Sequence, residues 1–440
     1  MTGYFDFIKN LIKNGEKREE PLKGVKVVEI THFIFGPNIG RILAQFGAEV
    51  VKIETPGEGD RFRLGTVFGR FYRHSNLIYA VLNTNKYFVA ADARNAKARE
   101  IIFELARRSD VFVENLRAGL VDTMGIGYQQ IRAVNPKIIY VSCSGYGQFG
   151  PLSKTPSFDV AAQGVSSLAM KTGWEDVDEF YKLPDYFGDF LPSMLAILAI
   201  LAALYYREKT GKGQYIDISQ TESLLRFLYD ITYFSITGKE IGKTGNIDPT
   251  ASPSGIFKTS DGKFVAISIV TEKQFEAIAS VVGFDDSKKK DRFSMDVIKE
   301  LNEKLEKWVE KKNLKEILEI AKEKGFPAAQ VLDDLEVFKD PWRRERGSIV
   351  EVQDRFLGKV QVPGPFAIFS STPGKIKWLA RPVGYHNRLI LKRWLNLSDE
   401  EIEKLEKDGA IGYWDEMPGT SPPPTWNKDD EVFRGEKDEG

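Results

Sequence analysis

Between Val25 and Ile53 the chain reads strand, helix, strand within about thirty residues, the unit from which parallel sheets are built. Residues 25–30 (VKVVEI) form a short β-rich run. Pro37 then sits where a helix starts, since the N–H it lacks would be unpaired there anyway. Ile39, Ile42, Leu43 and Phe46 follow at helical spacing, Gly47 stops the helix, and residues 50–53 (VVKI) give the second strand. The pattern repeats. Strands are expected at 87–91, in DVFVEN from Asp110, in NPKIIYVSCSGYG from Asn135, and at 214–219. Helices are expected from Asn95 and at 158–172, 190–209 and 221–237. Residues 1–225 therefore predict an α/β fold with a doubly wound sheet.

The character changes near Gly238. GKEIGKTGNIDPTASPSG is a loop or linker, and two β runs then flank Asp261-Gly262, a hairpin signal. Helices dense in Lys and Glu follow from about 272 to 324, and the KKKDR cluster at 288–292 reads as a solvated surface. Residues 226–329 are expected to form a second, smaller α+β domain. Residues 330–440 return to short strands (GSIVEV, GKVQVPG) and two helices, completing the first domain. The tail from Gly412 is rich in Pro, acids and aromatics without periodicity, so it is an extended strap or a disordered end. A length of 440 residues agrees with two compact units.

Charge and cysteine content narrow the function. Basic residues number 62 and acidic residues 63, so no global field draws in nucleic acid or an anionic membrane. A lone cysteine, Cys143, excludes an internal disulfide and a cysteine-built metal site. With only His32, His74 and His386, a histidine-rich metal centre is not expected. The charged opening MTGYFDFIKNLIKNGEKREE lacks the apolar run of a signal peptide, and the expected compartment is the cytoplasm. Phe190–Tyr206 is 17 residues without a charge, the lower limit for a membrane span. With charges at both ends and no second stretch like it, it reads as a fully buried core helix.

The first strand–helix turn does not carry a dinucleotide fingerprint. It reads Gly36-Pro-Asn-Ile-Gly40, without the central glycine that lets backbone approach a pyrophosphate, although Glu54 stands where a ribose-binding acid would. No nicotinamide or flavin is expected. HExxH, GxSxG, GxxxxGK[ST] and CxxC are all missing from the sequence. Cys143 reads as a small buried residue at a strand end and His74 as a surface residue. Carboxylates remain for covalent chemistry. Asp189, just before the apolar run, is a favoured N-cap residue. A helix N-terminus would also favour its ionised form and blunt its nucleophilicity. A catalytic Asp189 would then need an electrophile activated by its leaving group, such as a thioester.

These residues carry a family resemblance. PLKGVKVVEIT, GP, LAQFGAEVVKIE, GD, LNTNK, SDVFVENLRAG, GIGY, NPKIIYVSCSGYGQFGP, FDVAAQGVSSL, ILAALYYREKTGKGQYIDIS and PGPF, in that order, resemble the class III coenzyme A transferases. These include the formyl-CoA:oxalate and crotonobetainyl-CoA:carnitine enzymes, and the fold is shared with α-methylacyl-CoA racemases. The similarity spans roughly residues 21 to 395. It implies a Rossmann-like large domain, a smaller middle domain, and two chains interlocked as a homodimer. It implies CoA transfer between an acyl-CoA and a small carboxylic acid, with CoA as substrate and product and no metal or bound cofactor.

By the same resemblance, Asp189 is the nucleophile, counted back without gaps from Thr210. Asp185 is the rival, one helical turn earlier. His32, Phe35, Arg94, Asn115, Leu116 and Arg117 are the implied CoA contacts, all at the ends of expected strands. Two arginines common in the family are Thr55 and Thr123 here. CoA is therefore held differently, or by Lys52, Lys86 or a residue of the partner chain. The family's glycine-rich active-site loop is also missing, and residues 245–255 do that job or none. The racemases' histidine is Phe158 in this chain, which removes one of the two bases racemisation needs. Racemase or CoA isomerase, and a non-catalytic acyl-CoA binder, are the alternatives to a transferase.

Overall fold

The computed structural model describes residues 2–439. Two compact units emerge. One joins the chain up to Ser166 with Pro184–Leu228 and everything from Trp342; the other joins Ser167–Leu183 with Tyr229–Pro341. These bounds differ from 226 and 329: 226–228 stay in the first unit, while 167–183 and 330–341 belong to the second. Both expected helices that cross a border are broken near it. The 158–172 helix is Asp159–Val165 and Leu168–Lys171, divided at Ser167 with φ 72°. The 221–237 helix is Gln220–Leu225 and Asp230–Thr237.

The first unit holds six parallel strands: β1 (Lys26–Ile30), β2 (Glu49–Glu54), β3 (Lys86–Ala90), β4 (Val111–Glu114), β5 (Ile139–Ser144) and β6 (Gln214–Ser219). Their order is β3-β2-β1-β4-β5-β6. Strand order reverses between β1 and β4, the topological switch of a doubly wound sheet. Val27 of β1, in register with Val50 and Val111, faces Ile39 and Leu43 of the Phe35–Gln45 helix. Val28, beside Val51 and Phe112, faces Ile101, Ile102 and Leu105 of the Ala96–Arg107 helix. Burial of both faces explains why these strands are runs of Val, Ile and Phe rather than alternating patterns.

The long apolar helix runs Phe187–Thr210 and packs Ala196, Ile197, Ile200 and Ala203 into the Val27 layer. Alanines on that stripe let it lie close to the sheet. Its other side does not match the expected buried core helix: Leu198 is 62% exposed and Tyr205 61%. By length and composition it is long and apolar enough to cross a membrane. Its buried stripe nevertheless lies against a sheet of its own chain.

The second unit is α+β. Strands β7 (Ser254–Lys258), β8 (Phe264–Ser268) and β9 (Ala328–Gln330) form an antiparallel sheet, with the β7–β8 turn at Asp261-Gly262. Phe275, Ile278, Leu301, Leu305 and Ile317 from three helices fill its core. Two lysines of the 288–292 cluster are paired at the surface, Lys288 with Glu300 and Lys289 with Glu276. Arg292 departs from that reading. It is buried and donates to the carbonyls of Ser252 (3.1 Å) and Val270 (2.7 Å).

After Trp342 the chain forms a hairpin, β10 (Ile349–Asp354) with β11 (Gly358–Pro363), then helices Asn387–Leu395 and Asp399–Lys407. The aperiodic tail is an ordered strap, with Thr420 and Val432 fully buried in the first unit.

Candidate active site

A cavity of about 1040 Å³ opens at the carboxyl ends of the strands, where open α/β sheets bind ligands. Asp189, His32, Phe35, Arg94, Asn115, Leu116 and Arg117, separated by up to 157 positions in the sequence (189 − 32), all line it. Five of the six strands and the long helix supply those walls through the residues that follow each strand, and Gln220 adds the sixth.

Asp189 is the third residue of the long helix, not its cap. The chain enters that helix through Asp185 (φ 55°) and Tyr186 (φ 58°), two successive left-handed residues that are not glycine. Such backbone is costly and persists only where its surroundings enforce it. Two residues after Tyr186, the Gly188 N–H donates to Asp159 Oδ1 at 2.7 Å. A Cβ at 188 would stand 2.8 Å from that oxygen, so only glycine permits this approach. Asp189 is 9% exposed, and its Oδ1 accepts a hydrogen bond from Gln220 Nε2 at 2.6 Å. No hydrogen bond reaches its Oδ2 among the described residues. Burial, and then the neighbouring charge of Asp159, raise the Asp189 carboxyl to about 7, partly opposed by Gln220. The expected stabilisation of the carboxylate by the helix terminus is thus overridden. Asp185 is exposed and lies outside the cavity lining.

The first loop is built by exchange across the switch point. His32 N–H donates to Asn115 Oδ1 at 2.7 Å, and Asn115 Nδ2 returns a bond to His32 O at 2.8 Å. Gly36 makes room for this lock: its Cβ would sit 2.8 Å from Asn115 Cγ. Phe33, at φ 62°, donates its N–H to Asp60 Oδ1 (3.0 Å), which also lies 3.6 Å from His32 Nδ1. Burial opposes charge on Asp60, but Lys52 and His32 hold its carboxyl far below the ordinary range.

Lys52 and Lys86 do not serve as CoA contacts. Both are fully buried and neither lines the cavity. Lys52 Nζ lies 3.1 Å from Asp60 Oδ2. Lys86 Nζ bonds Glu29 Oε1 at 2.7 Å and Pro37 O at 2.7 Å, and burial lowers it to about 8. Glu54 is similarly engaged, accepting from Arg63 Nη2 (2.7 Å) and Tyr79 OH (2.8 Å). The free cations are exposed instead. Arg117 and Arg61 line the cavity without an ion pair among the described residues, while Arg94 pairs with Asp92 at 2.6 Å. Thr55 lines the cavity and Thr123 does not. Cys143 is buried, and burial pushes its thiol well above the ordinary value. Residues 245–255 belong to the second unit. Among the described residues no three His, Cys, Asp or Glu side chains form a metal-holding group.

Sequence reading missed Gln220, Asp159 and Arg61. Gln220 is the first residue after β6, and that position was its one available signal.

A β3-β2-β1-β4-β5-β6 parallel sheet with a deep cleft at its carboxyl edge and a perturbed buried carboxyl defines a Rossmann-like α/β enzyme. The chain belongs to CoA-transferase family III, whose model matches residues 22–387, and it is a CoA-transferase. It is 30% identical over 405 residues to the succinyl-CoA–D-citramalate CoA-transferase of Chloroflexus aurantiacus, covering 90% of this chain and 100% of that one. It is 33% identical over 402 residues to the human succinyl-CoA:glutarate CoA-transferase, covering 89% and 90%. The crystal structure of a CaiB/BaiF family protein from Brucella suis superposes with a TM-score of 0.72 at 28% identity, over 86% of this chain and 100% of that one.

Proposed function

We propose that this protein moves coenzyme A from an acyl-CoA to a small carboxylic acid through covalent intermediates on Asp189. One observation carries the reading: a carboxyl on the cavity wall, raised to about 7, with one oxygen held by Gln220 and the other unbonded. Near neutral pH such a group is partly ionised and strongly desolvated, so its carboxylate is a better nucleophile than a solvated one.

In the first step an Asp189 oxygen attacks the thioester carbonyl and CoA thiolate leaves, giving an aspartyl–acyl anhydride. The thiolate then attacks the aspartyl carbonyl carbon, expelling the donor acid as its carboxylate and leaving an aspartyl–CoA thioester. The acceptor carboxylate attacks that thioester, releasing thiolate and forming a new anhydride. Thiolate attack on the acceptor's carbonyl finally releases acyl-CoA and regenerates the Asp189 carboxylate. Charge balances at every step, and each exchange trades acyl bonds of similar energy. When thiolate attacks the aspartyl carbon, negative charge develops on the aspartyl oxygen, and Gln220 Nε2 is the donor already bonded there.

Arg117, Arg61 and Arg94 suit the phosphates of CoA, and His32, Phe35, Asn115 and Leu116 shape the wall beneath it. The named relatives act on citramalate and glutarate, and a small dicarboxylate is the proposed acceptor. An interlocked homodimer in the cytoplasm is the proposed state, and the exposed apolar side of the long helix supports burial against a second chain.

The test is incubation with a panel of acyl-CoAs plus hydroxylamine, followed by digestion and mass spectrometry. An aspartyl hydroxamate at Asp189 is the expected result, and the thioester that produces it identifies the donor. A hydroxamate at Asp185 would move the nucleophile one turn. Saturable CoA binding with no adduct from any thioester would overturn the covalent mechanism.

A further inference from the structure

The family match ends at residue 387, yet the strap beyond it is bonded to two walls of the cavity. Ile411 bridges Ala91 in antiparallel fashion, and Gly412 N–H donates to Ala90 O at 3.2 Å. Asn387 ties the same spot, donating to Gly412 O at 2.6 Å and accepting from Ala90 N–H at 2.9 Å. Gly57 N–H then donates to Tyr413 O at 2.7 Å, and Asp415 N–H to Gly57 O at 3.3 Å. Further on, Gly419 O accepts from Arg63 Nη1 at 3.0 Å. The bonds at Ala90, Ala91 and Gly57 fall at the starts of two loops whose next residues, Glu58 and Arg61 in one and Asp92 and Arg94 in the other, line the cavity, and the Arg63 bond falls just past the first of them.

The strap's far end is fastened more firmly than its composition suggests. Tyr413, Trp414, Trp426 and Phe433 pack edge-on and tilted about one another and Tyr385. Asp430 accepts from Tyr385 OH at 2.7 Å and pairs with Arg355. Glu439 then enters a slot between Arg381 and His386, all three side chains essentially buried. Arg381 Nε donates to Glu439 at 2.6 Å. His386 Nδ1 accepts from Phe88 N–H (2.9 Å), which leaves the proton on Nε2 facing Glu439 Oε2 at 3.1 Å. A carboxylate is seldom buried without partners. This one has two.

We infer that residues 410–439 are a positioning strap for the acyl-CoA-binding loops at 55–61 and 91–94, latched by Glu439 in the Arg381–His386 slot. The inference rests on the reading of this cavity as the CoA site. Holding both loops in place before ligand arrives removes an ordering cost from binding, whereas Asp189 and Gln220, on other elements, are not touched by the strap. The latch therefore sets affinity for the CoA thioester and leaves the transfer step alone.

The test uses the full chain, its Glu439→Ala and Glu439→Gln variants, and a chain ending at Met417. Amide hydrogen exchange at 55–61 and 91–94 is followed without ligand, and the Kd for CoA and the split of kcat from KM are measured beside it. Both loops should exchange faster in every variant. The Kd for CoA and the KM for acyl-CoA should rise about tenfold in Glu439→Ala and more in the shortened chain, with kcat within about twofold. Glu439→Gln keeps an acceptor for His386 and should fall between, which covers the case in which a harsher variant unfolds. Unchanged exchange and Kd, or a fall in kcat with Kd unchanged, would overturn the strap's role. If the full chain itself binds no CoA, the cavity assignment fails, while loop exchange still decides whether the strap positions those loops.

Discussion

Two groups of buried acids flank the switch point, and they are treated oppositely. Glu29, Glu54 and Asp60, under the first loop, are each matched to a cation: Lys86, Arg63 and Lys52. Across the sheet, Asp189 and Glu114 have no cation partner among the described residues. Glu114 Oε2 accepts the Leu116 N–H (3.0 Å), and burial raises its carboxyl to about 7 against the lowering effect of a Ser142 hydrogen bond and that backbone bond. Paired acids are fixed in charge and act as rivets for loops. Unpaired ones sit near their own midpoint at neutral pH and can change state during a reaction. The difference separates acids locked into the walls of this cavity from carboxyls free to change protonation state, among them the proposed nucleophile Asp189.

The largest way to break that contrast is Asp189→Ala. Loss of the proposed nucleophile should lower kcat by about four orders of magnitude or more, while CoA affinity by calorimetry stays within about threefold. Turnover close to wild type would transfer the chemistry to another group. On the paired side, Arg63→Met leaves Glu54 buried and uncompensated. It should destabilise the protein by about 3–5 kcal/mol in denaturant melts. An effect below about 1 kcal/mol would mean the rivets are ornamental.

The sign of the stability effect differs at the unpaired site. Asp189 titrates at about 7 in the folded protein against an ordinary 3.8. Its contribution is fully present below about 4, where it is protonated in both states, and is lost as pH rises through about 7. Asp189→Asn never ionises. The variant should therefore gain on wild type as pH climbs, ending more stable by on the order of 4 kcal/mol at pH 8. Parallel stability curves from pH 4 to pH 8 would show that Asp189 is an ordinary, solvated acid.

The same contrast explains what was legible in the sequence. Strands β1 to β5 were readable because each is a short run rich in β-branched or aromatic residues, buried on both faces, while the edge strand β6 showed instead as an alternating pattern. The expected helix at 158–172 failed where the chain crosses between compact units, since periodicity continues across Ser167 but the backbone does not. His32, Asn115, Arg117 and Asp189, singled out by strand ends and family spacing, all line the cavity. Lys52 and Lys86 were misjudged because a lysine in a strand looks the same whether it faces a ligand or a buried glutamate. Glu29 and Asp60, which decide the matter, become neighbours of those lysines only in the folded sheet. The strap was left open for a related reason: its order comes from contacts such as Glu439 with Arg381, remote in sequence and silent in periodicity.

Gln220 sharpens the comparison most finely, because among the described residues it is the one side chain that hydrogen-bonds the proposed nucleophile. Its amide N–H favours the ionised carboxylate, opposing burial and Asp159. Gln220→Ala removes that donor, so the Asp189 carboxyl should titrate above about 7. The rising limb of the kcat profile should then move to higher pH. If the same amide also stabilises charge on the aspartyl oxygen, kcat on its plateau should fall by about ten- to a hundredfold, with KM for acyl-CoA little changed. The two effects are separable. A shifted limb with an unchanged plateau would make Gln220 a group that only sets ionisation. A lower plateau with an unshifted limb would mean it acts on the transition state alone. If neither changes, the 2.6 Å contact has no functional weight, and the carboxyl owes its state to burial and Asp159.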